Sequence, residues 1–118
     1  MTRHLLLALA LLLVAPPALA HSELRRSSPA TGAVLQEAPA RMELHFSEGV
    51  RLTALRLRRA GGEEIALPRR QIREASSAIV ELPPLAAGEY RAEWRVISAD
   101  GHPVGGTIAF RVEAPRAP

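Results

Sequence analysis

Tyr90-Arg91-Ala92-Glu93-Trp94-Arg95-Val96 decides the fold. Tyr90, Ala92, Trp94 and Val96 take every second position, and Arg91, Glu93 and Arg95 take those between. A side-chain period of two belongs to a β-strand with one face buried and the other in water. The pattern recurs in Arg41–Ser47, where Met42, Leu44 and Phe46 point inward and Arg41, Glu43 and His45 outward. Leu55 and Leu57 alternate with Arg56 and Arg58 ahead of a Gly61-Gly62 turn, and Ile65 and Leu67 begin a short strand that Pro68 stops. Ser77–Leu82 is an apolar segment closed by Pro83-Pro84, and Thr107–Glu113 turns Ile108, Phe110 and Val112 inward. With a first strand near Glu23–Ser28, about seven strands and no helix of three turns predict an all-β domain, a β-sandwich. Ser28–Gly32 and Gln36–Pro39 read as loops, Glu48-Gly49 as the point where the chain leaves the sheet, and Ala114–Pro118 as a frayed tail. Phe46, Tyr90, Trp94 and Phe110 all fall on apolar faces, so they are expected in the core.

Residues 1–20 read as a segment made to be removed. A short basic start at Met1–Arg3 precedes an apolar run, Leu5–Ala15, that Pro16-Pro17 ends. Ala18-Leu19-Ala20 then carries the small-x-small pattern of a signal-peptidase site. The run is too short to span a bilayer, which takes about twenty apolar residues, and no second run follows. The expected product begins at His21, is exported to the periplasm and has no direct membrane span. Its residues 21–118 form one domain of about a hundred residues.

Composition narrows the classes further. There is no cysteine, which excludes disulfides and thiolate metal sites. All fifteen basic residues are arginine, and twelve acids are interleaved with them. The net charge of +3 is therefore small, and one arginine leaves with the leader. Nucleic-acid binding calls for a basic stripe with stacking aromatics, and neither is present.

Cleavage after Ala20 gives His21 a free α-amine beside its imidazole, a chelating pair for a transition metal. Asp100-Gly101-His102 offers a carboxylate and an imidazole two residues apart, which share a face in extended chain; Pro103 favours that extension. Three nitrogens and one oxygen suit a tetragonal Cu(II) ion, whereas zinc prefers a tetrahedral shell. Cu(I) lacks its soft ligands, since Met42 is the only methionine beyond the leader and faces the core. Asp-Gly between two alternating strands is also a plain hairpin signal, and the two readings stand side by side. Glu48 reads either as a solvated acid or as a carboxylate that orients a ligand imidazole or holds a water. His45 reads as a solvated residue.

These residues resemble the CopC family of periplasmic copper-resistance proteins. The resemblance starts at His21, takes in Ser28–Gly32 and Leu44-His45-Phe46-Ser47-Glu48-Gly49-Val50, and is fullest from Gly88 to His102, with Gly105-Gly106 and the Phe110 strand following. It implies a Greek-key sandwich or barrel of the cupredoxin- or immunoglobulin-like kind. It also implies a Cu(II) site at His21, Asp100 and His102 with Glu48 close by, and a CopD-type inner-membrane copper protein as partner. The methionine-rich Cu(I) loop of some members has no counterpart here.

Three functions remain in competition at this stage. A copper carrier or buffer performs no turnover. A histidine-brace copper oxygenase would share the N-terminal histidine but needs a substrate platform of exposed aromatics. A plain β-sandwich interaction module would leave the histidines incidental.

Overall fold

The computed structural model describes residues 23–115, which form seven strands and no helix. They are β1 (Leu24–Ser28), β2 (Ala33–Leu35), β3 (Arg41–Arg59), β4 (Glu64–Ile65), β5 (Glu74–Glu81), β6 (Gly88–Ser98) and β7 (Pro103–Val112). The leader, His21 and the last three residues of the tail lie outside the described residues.

The strands follow the order β1-β3-β6-β7-β2, with β4 and β5 also paired to β3, and the curled sheet closes on one core as a β-sandwich. Every inward position named above is buried. Met42, Leu44, Leu57, Ala92 and Val96 are fully enclosed, and Phe46, Tyr90, Trp94 and Phe110 lie among them. Phe46 meets Trp94 edge-on at 5.4 Å, and Tyr90 stacks on Phe110 at 5.4 Å. The Tyr90 hydroxyl donates to the Ala86 carbonyl four residues upstream, so the polar tip of a buried ring is satisfied at the sheet's corner.

Three readings need correction. The chain does not leave the sheet at Glu48-Gly49. Arg41–Arg59 is a single strand of 19 residues, and Glu48 and Gly49 lie inside it. The alternation breaks there because β3 changes partners: β1 pairs with Glu43–Phe46, β6 takes over from Val50, and the register shifts between. Such an irregularity lets one strand turn the corner of a sandwich. Next, Ala33–Leu35, unassigned between the two loops read from the sequence, is a strand paired in parallel with Phe110–Val112. Its three residues are too few to show a period. Finally, His45 is half-buried, because β1 and β5 flank it on both sides.

Strand β7 begins at Pro103, four residues before the alternation does, because Gly105 and Gly106 pair with Arg95 and Trp94. A Cβ on Gly106 would sit 2.8 Å from the Trp94 ring, and one on Gly105 would sit 2.9 Å from the Trp94 carbonyl oxygen. The indole occupies the space a side chain would take. Gly106→Ala is expected to destabilise the domain by about 1–3 kcal/mol, as overpacking does, read as a lower midpoint in urea.

Candidate metal centre

Ser98, Ala99, Asp100, Gly101 and His102 join β6 to β7. The Gly101 N–H donates to the Ser98 carbonyl and the Ser98 N–H to the His102 carbonyl, each at 2.9 Å. Gly101 has φ +87°, the left-handed conformation that closes a three-residue hairpin loop. The hairpin reading and the ligand reading thus describe the same residues. Asp100 and His102 converge through this turn, not through the extended chain the sequence implied. The His102 Nδ1 lies 2.8 Å from Asp100 Oδ2, with both side chains at least half exposed.

Ser98, which sequence reading passed over, organises the pair. It is buried at 5% exposure, unusual for a serine at the mouth of a hairpin. Its hydroxyl donates to Asp100 Oδ1 and accepts from the His102 N–H at 3.1 Å. The same N–H lies 3.3 Å from Asp100 Oδ1. These bonds, Ser98's first and His102's next, hold the Asp100 carboxyl down at about 2. The sequence signal was available: Ser98 continues the inward set of Tyr90, Ala92, Trp94 and Val96, so a hydroxyl on that face needs a partner. Ser98→Ala is expected to free the Asp100 carboxyl, raising its pKa toward the ordinary aspartate value near 3.9, measured by NMR titration.

Two further elements converge on this end of the sheet. Val50 of β3 is the cross-strand partner of Ser98. Glu48, half-buried, lies two residues before Val50 in β3, and Asp100 lies two residues after Ser98 in the hairpin turn. Strand β1 runs toward the same place. Leu24 pairs with Phe46, and Glu23 and Ser47 exchange two bonds of 2.9 Å, Glu23 N–H to Ser47 Oγ and Ser47 N–H to the Glu23 carbonyl. Strand β5 occupies one edge of β3 along both Arg41–His45 and Val50–Arg51, so β1 and β6 share the other edge. At Glu23 the chain is therefore anchored on the edge where Ser98 meets Val50. Among the described residues no three acids or histidines form a metal-binding group, and His21 is not one of those residues.

The sequence profile described as the CopC domain matches residues 24–113. The chain belongs to the CopC family. It is 33% identical over 112 residues to copper resistance protein C of Pseudomonas syringae pv. tomato, covering 86% of this chain and 88% of that one. It is also 31% identical over 113 residues to the copper transport protein CutJ of Bacillus subtilis, covering 92% of this chain but only 21% of the relative. The CopC-family chain thus spans about a fifth of CutJ. Among solved structures, CopC from Methylosinus trichosporium OB3b superposes with a TM-score of 0.71 at 26% identity, covering 82% of this chain and 98% of that one. PcoC, a methionine-rich copper resistance protein from Escherichia coli, gives 0.65 at 32% identity, covering 80% and 100%. These likenesses confirm the all-β sandwich or barrel.

Proposed function

We propose that this chain is an exported copper carrier or buffer. Its donors are the α-amine and imidazole of His21 with Asp100 and His102, its cargo is Cu(II), and it performs no turnover. The carrying observation is the direction of β1. Glu23 is fastened to Ser47 on the β3 edge that leads to Ser98, and His21 lies two residues further on, a reach of at most about 7 Å. Removal of residues 1–20 in the periplasm supplies the amine.

The donor chemistry supports divalent copper. Two donors about 2.0 Å from an ion and at right angles to each other stand about 2.8 Å apart. His102 Nδ1 and Asp100 Oδ2 already have that separation. An ion would replace the proton between them once both side chains turn their lone pairs toward it, so the turn already brings the two donors to the spacing required. Alternatively, Nδ1 keeps its proton on Asp100 and His102 offers Nε2, an arrangement common in metal sites. Met42, fully buried, cannot serve Cu(I). In this reading Glu48, half-buried in β3, orients a ligand ring or holds a water.

The aromatic platform of a polysaccharide oxygenase has no material here, since all four aromatics among the described residues are buried. The likeness to proteins named for copper resistance and copper transport supports cargo handling instead. A CopD-type inner-membrane protein is the partner this reading favours.

Mass analysis of the exported N-terminus, followed by electron paramagnetic resonance with one equivalent of Cu(II), tests the proposal. A chain beginning at His21 with one tetragonal nitrogen-rich signal supports it, and the absence of a bound signal overturns it. Acid release has a defined sign. With its carboxyl held down at about 2, Asp100 remains ionised well below neutrality and available to the ion. Copper should leave at a higher pH, as the nitrogen donors take up protons, and a signal persisting to pH 3 would contradict those donors.

A further inference from the structure

Strand β5 pairs only with β3 among the described residues, so its eight residues present one open edge. Exposed strand edges recruit other strands unless something blunts them. Glu74 and Glu81 stand at the two ends, Glu74 against Gly49 and Glu81 paired with Arg41 at 3.9 Å. Between them the edge is uncharged, and Ile79 is 56% exposed.

The segment from β4 to β5 prepares the neighbouring surface. Ile65 pairs with Leu57 and Glu74 with Arg51, so residues 66–73 must cover a shorter stretch of β3 than their own length. The segment bows outward and leaves a cleft of about 460 Å³, floored by Val50, Leu52 and Ala78 and bordered by Arg70, Arg73 and Ile79. The segment carries Arg69, Arg70 and Arg73 and no acid. Among the described residues none of these arginines forms an ion pair, whereas Arg41, Arg58 and Arg111 do. Arg70 is half-buried, its Nε is enclosed without a partner, and burial pushes its pKa down. A desolvated cation without a counter-charge costs free energy that an incoming carboxylate would recover.

We propose that the open edge of β5, with this arginine-lined cleft, docks an extended acidic segment of a partner protein. The segment adds as a strand along β5, sets an apolar side chain in the cleft and places carboxylates on Arg70 and Arg73. Charge selects this occupant over a second copy of the chain. Antiparallel pairing of two β5 strands over all eight residues would set Glu74 against Glu81 at both ends and would bring no carboxylate segment over the cleft. The place is apt for a cargo protein: β5 and β6 flank β3 at Val50, so the docked strand lies about 10–15 Å from Ser98.

The test uses the processed full-length protein and a labelled ten-residue peptide alternating Glu and Val, followed by fluorescence anisotropy and amide hydrogen exchange. Expected are saturable binding, protection confined to the β5 amides, and about tenfold weaker binding in R70E/R73E. Since Arg70 is half-buried, R69E/R73E at exposed positions is run beside it and should weaken binding in the same direction. An Arg-Val peptide should not bind. Equal affinity in both variants, protection elsewhere, dimerisation through β5, or capture by phosphatidylglycerol vesicles without peptide binding would each overturn the proposal. Cu(II) affinity in these variants should stay at the wild-type value, so this surface and the copper site are judged separately.

Discussion

His102→Ala should lower Cu(II) affinity by at least about a hundredfold. Loss of a mere supporting partner around a metal costs about 10–100-fold, and His102 is assigned here as a ligand. Asp100→Ala should act similarly, because the two side chains form one unit held 2.8 Å apart. Competitive titration against a chelator of known affinity measures both. The variants should still fold, since both side chains are exposed, with Asp100→Ala giving up the bond from the buried Ser98 hydroxyl as a small loss of stability. A thermal scan provides the control. Copper at a hundred times its Kd should stabilise the wild-type fold by about 2.7 kcal/mol, and that increment should disappear in the variants. Unchanged affinity in His102→Ala would remove this imidazole from the site.

Blocking the mature amine should be at least as damaging. A chain that keeps even one residue ahead of His21, or carries an acetyl group there, turns the amine into an amide without a free lone pair. The chelate then falls to a single imidazole, and the loss expected is on the order of 10²–10⁴-fold, the usual advantage of a linked second donor. Resonance spectra should show one nitrogen fewer in the equatorial set. Retained affinity with an unaltered spectrum would show that the terminus takes no part. Because the first strand among the described residues starts at Leu24, the added residue should leave the denaturation midpoint unchanged.

Much of this was legible in the chain itself. Strand β6 and the second half of β7, from Thr107, alternate cleanly because each buries one face, and the aromatic residues on those faces are in the core as their positions require. Strand β3 was legible only in pieces. Its middle, Ser47–Gly49, has no fixed inward face while it passes from one set of neighbours to the next, and periodicity carries no information about a change of partner. Strand β2 owes its identity to a distant parallel neighbour that no local pattern announces. Asp100 and His102 could be singled out by residue type. How they meet could not, because the turn geometry and the buried Ser98 hydroxyl are set by the closing of the hairpin.

The unbroken 19-residue β3 has a consequence for when the protein can be loaded. It pairs with β1, β4, β5 and β6, so neither half of the sandwich is a self-sufficient folding unit. Pairings so distant along the chain make for slow, all-or-none folding. The donors assigned here come from opposite ends of the polypeptide and meet only when that folding is complete. If the chain is exported as proposed, it would carry no assembled trap for the ion while unfolded in transit, and capture would be deferred until it had folded on the far side.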